Sequence, residues 1–186
     1  MKRVYRRGEL IVIAPDAVLE IEQGVVIKTV IHLDGAEVLL GFHGAGQIIT
    51  PHPEDSCHIQ LCAHTEVHAQ IVSWRAAGQM AELPNRLRAQ IWQQEAWAAM
   101  QARPAYEERL LGILSLLAEQ FGHPHQDGAL IDLRITHQQL ASAIGATRTT
   151  VTRLLSDLRR RQLITTQGSG NQERICLHQA PHSLHL

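Results

Sequence analysis

The sequence predicts an α+β protein built from an antiparallel β-roll, a long helix and a winged helix-turn-helix, in that order along the chain. Three observations support this: short aliphatic runs between turn residues up to residue 75, helix-forming residues after residue 80, and two short helical patterns separated by a glycine after residue 135. The 186 residues, 45% hydrophobic and 19% charged, have a globular balance that excludes a disordered acidic tail, a collagen-like repeat and a low-complexity scaffold. We expect the β-roll in 1–80, a dimerisation helix in 81–103 and the winged helix-turn-helix in 104–186.

Four β-branched or aliphatic runs predict the first strands of the roll, at residues 10–13, 18–21, 25–31 and 38–40. Asp34-Gly35 between the last two is a strong hairpin signal, because glycine accepts the positive φ that a tight turn requires. Two alternating runs, 59–63 and 67–71, flank a turn near His64 and Thr65 and predict another hairpin. This regular spacing favours a small antiparallel roll or barrel.

Histidines and cysteines cluster around that second hairpin: His52, Cys57, His58, Cys62, His64 and His68. On an alternating strand His58 and Cys62 share a face, and His68 lies opposite them across the hairpin; imidazole and thiolate suit zinc or copper. The spacing matches no standard metal site, so the alternation favours polar residues on the outside of an edge hairpin. We predict no metal ligand and no cofactor, with a metal- or redox-sensing hairpin, or one that binds a protein partner, as the alternative.

Residues 84–102 have a helical period with a narrow apolar stripe and several glutamines, which is typical of a helix that pairs with another helix. The predicted dimer-interface residues are Leu87, Ile91, Trp92, Glu95, Ala98, Ala99 and Ala102. Pro104 interrupts the pattern. A more apolar helix then continues to Phe121, and we expect residues 122–128 to form a loop.

A helix-turn-helix is predicted between residues 136 and 158. Thr136 can cap the first helix while Gln139 returns the hydrogen bond. Gly145 supplies the unusual backbone angle of the turn, and Thr147 opens the second helix. A glycine-rich stretch at 165–171 between two short strands predicts a wing.

The second helix presents a polar face that fits the major groove of double-stranded DNA. Arginines there can bind guanine O6 and N7, and threonines near the helix start suit phosphates. The predicted DNA-binding residues are Thr136, Thr147, Arg148, Thr149, Thr150, Thr152 and Arg153. Two interpretations of the run Arg159-Arg160-Arg161 remain: the arginines contact DNA phosphates, or they only stabilise the C-terminal end of the helix through its dipole. Residues 134–174 carry a net charge of +5 against −6 elsewhere, as expected of a nucleic-acid-binding segment.

The sequence ITHQQLASAIGATRTTVTRLLSDLRRRQLI, which starts at Ile135, resembles the helix-turn-helix of the Crp/Fnr family of bacterial transcription regulators, and within it the cyanobacterial nitrogen-control subgroup. DGAEVLLGFHGAGQII resembles that family's cyclic-nucleotide-binding-like roll. The resemblance implies a homodimer whose recognition helices lie one DNA turn apart on a palindromic site. It places Arg148 and Arg153 at base-contacting positions, with Thr149 where many members have glutamate, and implies GTA and TAC arms.

The segment after Gln47 departs from the family, which holds a nucleotide phosphate there with an arginine. Residues 48–56 contain two prolines and no arginine, so we expect no cyclic-nucleotide binding. No nucleophile–base arrangement, phosphate loop or carboxylate pair predicts an enzyme. The expected function is a sequence-specific DNA-binding transcription regulator. The alternative is a protein-interaction module. RNA polymerase or a protein co-regulator is a possible further partner.

The short apolar run at 10–14 ends at Pro15-Asp16 and does not fit a signal peptide. No stretch is long and apolar enough for a membrane span. We therefore expect a soluble cytoplasmic protein with no membrane association. Cys57, Cys62 and Cys176 form no framework of close pairs, so no disulfide is expected.

Overall fold

The computed structural model describes residues 1–50, 57–168 and 173–178. The chain divides into two compact units, Met1–Glu95 and Ala96–Leu186. The strands of the first unit are β1 (Lys2–Tyr5), β2 (Ala17–Gln23), β3 (Val26–His32), β4 (Glu37–His43), β5 (Ile48–Ile49), β6 (Cys57–Ala63) and β7 (Val67–Ser73).

These strands form two antiparallel sheets, one in the order β1-β7-β2-β5 and the other in the order β4-β3-β6. Inward side chains of both sheets build one hydrophobic core, with Leu19 and Ile21 from the first sheet and Val26 and Leu61 from the second. Side chains two residues apart on a strand point to the same face, which places Leu19 and Ile21 together on one side of β2. The hairpin at Asp34-Gly35 joins β3 to β4, and Gly35 has the expected positive φ of 82°. The predicted β-roll is therefore confirmed.

The predicted hairpin between the sixth and seventh strands is wrong. β6 pairs with β3, whereas β7 pairs with β1 and β2 in the other sheet. The turn between them is therefore a corner between the two sheets. In this corner the backbone amides of His64 and Thr65 both donate to the carbonyl of Val25. The strand β1 was not predicted, and because β1 and β2 pair with the two edges of β7, no edge of β7 is left for β6.

The strand predicted at residues 10–13 is also wrong. Leu10 makes an isolated bridge to Cys62, and the Ile11 amide donates to the Leu61 carbonyl over 2.9 Å, but no strand forms. Turns on both sides, at residues 7–8 and 15–16, confine the pairing to this short contact. The segment borders β6 as an extended connection.

Three helices follow: α1 (Trp74–Ala77), α2 (Leu83–Gln101) and α3 (Tyr106–Phe121). α2 and α3 confirm the two predicted helices, and the break between them contains Pro104. The short helix α1 was not predicted. Within the second unit Gly112 of α3 is buried, and a Cβ there would clash with the Met100 sulfur, so the lack of a side chain permits this close approach. None of the helices in the described ranges combines the length and apolarity needed to cross a bilayer.

The second unit continues with β8 (Gly122–His125), β9 (Gly128–Ile131), α4 (His137–Ile144), α5 (Arg148–Arg160), β10 (Ile164–Gln167) and β11 (Arg174–His178). Its sheet has the order β10-β11-β9-β8. The loop predicted at 122–128 is wrong, because its first half pairs with β9 as a hairpin. The backbone at Gly128 comes so close to the Leu177 carbonyl that a Cβ would clash, which explains how the sheet extends to β11. The predicted wing strands are confirmed as β10 and β11, and residues 169–172 of their turn lie outside the described residues.

Candidate nucleic-acid interface

The first helix of the predicted motif begins with a complete capping box. The Thr136 hydroxyl accepts from the Gln139 amide over 3.1 Å, and the Gln139 side chain accepts from the Thr136 amide over 2.9 Å. The helix α4 ends at Gly145, which has a left-handed backbone with φ 67°. These local contacts fix both ends of α4.

Two side chains from the preceding helices hold the C-terminal carbonyls of α4. Gln101 donates to the Ala143 carbonyl over 2.8 Å, and Arg109 donates to the Ile144 carbonyl over 3.1 Å. The last carbonyls of a helix have no partner inside it, so these bonds satisfy them, and the Arg109 charge suits the helix C-terminus. They anchor α4 to the rest of the second unit.

The second helix, α5, is capped by Thr147, whose hydroxyl accepts from the Thr150 amide over 3.1 Å. The two threonine hydroxyls also lie 2.9 Å apart and share one hydrogen bond. Val151, Leu155 and Leu158 are buried, as are Leu140 and Ile144 of α4. Both helices thus contribute buried apolar side chains, while Leu154 is only partly buried.

The opposite side of α5 is polar and exposed. Arg148, Thr149, Thr152 and Arg153 are all exposed, and residues three or four apart share one helix face. Within the described part of the chain, Arg153 makes no hydrogen bond and no ion pair. Its charge is therefore available to a ligand.

The three arginines at the end of α5 are engaged within the protein. Arg159 lies 3.6 Å from the Glu173 carboxylate, and Arg160 pairs with Asp157. Arg161 pairs with Glu107 at 2.6 Å and also with Asp157. These pairs favour the structural interpretation of the arginine run over phosphate contact.

One contact at this face was not predicted from the sequence. His137, the first residue of α4, places its Nδ1 2.9 Å from the Thr152 hydroxyl of α5. Burial lowers the pKa of His137 below its usual value. The charges of Arg159 and Arg148 also lower this pKa, while the charge of Glu173 raises it. No sequence signal links two residues 15 positions apart on different helices.

Of the predicted dimer-interface residues, Ile91 and Trp92 stand out, because they are 53% and 62% exposed although both are large and apolar. Arg88 covers part of the Trp92 ring, with its guanidinium carbon 5.4 Å from the ring centre. The other exposed members of the stripe are Glu95, Ala98 and Ala102, while Leu87 and Ala99 are partly buried.

The histidines and cysteines of the first unit do not converge. His58 lies opposite Ile31 and Cys62 opposite Ile27, whereas His68 lies opposite Val4 in the other sheet. His52 and the Cys57 side chain lie outside the described residues. Among the described residues, no group of three histidine, cysteine or acidic side chains is placed so that it could hold a metal ion.

Comparisons with known proteins identify relatives of both units. The Crp-like helix-turn-helix domain family matches residues 108–181. The regulatory protein CysR of Synechococcus elongatus is 30% identical over 159 residues, which cover 84% of this chain and 75% of that protein. This chain belongs to the Crp/Fnr family of transcription regulators.

Two further matches cover very different shares of this chain. The global nitrogen regulator of Nostoc sp. is 46% identical over 70 residues, which cover 38% of this chain and 30% of that protein. The matches thus span less than a third of the nitrogen regulators they involve. A crystal structure of a CRP-family transcriptional regulator from Thermus thermophilus matches with a TM-score of 0.76 at 21% identity, over 96% of this chain and 92% of that one. It shows the same fold.

Proposed function

We propose that this Crp/Fnr family member is a sequence-specific DNA-binding regulator that acts as a homodimer on a palindromic site. The observation that carries the proposal is the exposed polar face of α5. Arg153 on this face has no protein partner within the described part of the chain, while Arg159, Arg160 and Arg161 are all paired with acidic groups. The charge of Arg153 contributes nothing to packing within the protein, and a phosphate or a base edge could bind it. We therefore assign this face to DNA.

The chemistry of the face supports base contact in the major groove. A recognition helix enters that groove with its N-terminal residues against the base edges, and arginine can bind guanine O6 and N7 in a bidentate manner. The resemblance to the family implies that Arg148 and Arg153 take this role. The 46% identity with the global nitrogen regulator of Nostoc sp. over 70 residues supports GTA and TAC as the arms of the site.

The exposed stripe of α2 supports the homodimer. Ile91 and Trp92 present large apolar side chains to solvent in a single copy, and a helix stripe of this kind is buried when two copies pair. Two-fold pairing would also present two copies of α5, as a palindrome requires.

We further propose that DNA binding does not need a cyclic nucleotide. Residues 48–56, where the family binds the nucleotide phosphate, contain no arginine or lysine. Without a cation, a buried phosphate has no group to neutralise it.

The test is binding of reduced, metal-free protein to a GTA-N8-TAC duplex and to a scrambled duplex, measured by fluorescence anisotropy across a salt series. The eight-base spacer puts the half-site centres about one helical turn apart. We expect tighter binding to the GTA-N8-TAC duplex with nothing added. Equal binding to both duplexes that falls steeply with salt would leave only phosphate attraction and refute the proposal.

A further inference from the structure

The hydroxyl of Thr152 on the exposed face of α5 is held from two sides. It lies 2.9 Å from the carbonyl oxygen of Arg148 one turn earlier, and 2.9 Å from Nδ1 of His137 on α4. Thr149, one turn earlier on the same face, has no hydrogen bond to its side chain within the described part of the chain. Two threonines that face the same ligand thus differ in freedom.

The protons of this arrangement can be assigned from chemistry. A threonine hydroxyl has one proton, and a carbonyl oxygen can only accept. The contact with Arg148 therefore uses the Thr152 proton, and both contacts exist together only if His137 donates through Nδ1–H. Imidazole carries this proton in one neutral tautomer and in its protonated form. His137 therefore holds Thr152 in either protonation state.

A hydroxyl held in this way cannot donate to a base. Guanine O6 and N7, adenine N7 and thymine O4 are all acceptors, so the Thr152 hydroxyl cannot bond to them, and its one remaining lone pair can only accept, from adenine N6 or cytosine N4. Its methyl group makes no such bond and is free to meet an apolar base group. In the major groove that group is the thymine C5-methyl.

We propose that His137 is a positioning residue that makes Thr152 recognise a thymine through its methyl group. The inference rests on the proposed DNA-binding function and adds a specificity determinant to it. The arms GTA and TAC contain thymines that can take this role.

The experiment replaces each arm thymine of the GTA-N8-TAC duplex with deoxyuridine, which removes only the methyl group, and measures binding by fluorescence anisotropy. At one arm position we expect the wild-type protein to bind the deoxyuridine duplex about fourfold more weakly per half-site, as loss of one buried methyl predicts. Thr152→Ser keeps the hydroxyl but lacks the methyl, so it should bind both duplexes equally. Thr152→Val keeps the methyl and should retain the preference for thymine.

The role of His137 is tested by substitution at that residue. His137→Ala removes one of the two bonds that hold the Thr152 side chain, so the hydroxyl can leave the Arg148 carbonyl and donate to a base, and the preference for thymine should shrink. His137→Asn keeps a donor and should restore the preference at least in part. Ser156→Ala is the matched control, because it removes an exposed hydroxyl one turn later on α5 that donates to the Thr152 carbonyl, and it should leave the effect at the Thr152 thymine unchanged.

The outcomes separate the two proposals. If the wild-type protein does not prefer the GTA-N8-TAC duplex to the scrambled one, the DNA-binding proposal fails and this inference fails with it. If the wild-type protein is selective but deoxyuridine has no effect, or Thr152→Ser still prefers thymine, only the assignment to Thr152 is overturned. If His137→Ala keeps the full preference, His137 has no positioning role.

Discussion

His43, at the end of β4, is buried inside the roll without a hydrogen-bond partner. Its side chain is 5% exposed, and neither ring nitrogen has a partner within the described part of the chain. Val26, directly opposite on β3, belongs to the core between the two sheets, so His43 shares its inward face. Burial, helped by the charge of Lys28, lowers the pKa of His43 from 6.5 to about 4. The neutral imidazole is therefore the form that the folded roll accepts.

The sign of the pH dependence follows from this difference. In the unfolded chain His43 takes up a proton near pH 6.5, but in the folded roll only near pH 4, so the unfolded state binds more protons between these values. The stability contributed by neutral His43 is present above pH 6.5 and is lost as pH falls towards 4. The full difference corresponds to about 3 kcal/mol of unfolding free energy.

We predict that His43→Leu removes this loss. The variant should be at least as stable as the wild type at pH 7.5, because it also removes two buried nitrogens without partners. Urea unfolding at pH 7.5 and 4.5, followed by hydrogen exchange of peptides from β3 and β4, measures the roll separately from the second unit. His58→Gln, at an exposed position of the same sheet, is the control. An equal loss of stability in the wild type and in His43→Leu on acidification would refute the reasoning.

Three further predictions concern the interface, the dimer and the core. Arg153→Ala should weaken binding to the GTA-N8-TAC duplex by about 1–3 kcal/mol, while Arg160→Ala, whose charge is already paired, should cost less; an equal loss on scrambled DNA would mean that Arg153 contacts only phosphate. Sedimentation velocity should show a dimer at micromolar concentration and a monomer for Ile91→Glu, and a monomeric wild type would contradict the role of α2. Leu114→Ala, fully buried in α3, should lower the unfolding free energy by about 2–5 kcal/mol, more than Leu116→Ala at a half-buried position, and equal costs would argue against this packing.

Much of the interface could be predicted because its determinants are local. The capping box of Thr136 and Gln139, the left-handed Gly145 and the Thr147 cap all join residues within a few positions of one another. Such contacts form wherever the motif occurs, so spacing alone identifies them. The hairpin at Asp34-Gly35 is predictable for the same reason.

The predictions of strand pairing were wrong where segments that are adjacent in the sequence belong to different sheets. The alternating runs 59–63 and 67–71 are both strands, but the corner at His64 sends them into different sheets. Alternation shows which side of a strand is buried and does not show which strand lies beside it. Hence the cluster of histidines and cysteines suggested by the sequence does not converge in the residues described.

The order of roll, long helix and helix-turn-helix and the polar face of α5 could be predicted from the sequence, because periodicity and capping depend on nearby residues. Which arginines of α5 are neutralised depends on tertiary packing. Arg161 meets Glu107 of α3, 54 positions away, and His137 meets Thr152 across two helices. These pairings depend on how helices pack, and packing brings together residues whose distance along the chain carries no signal.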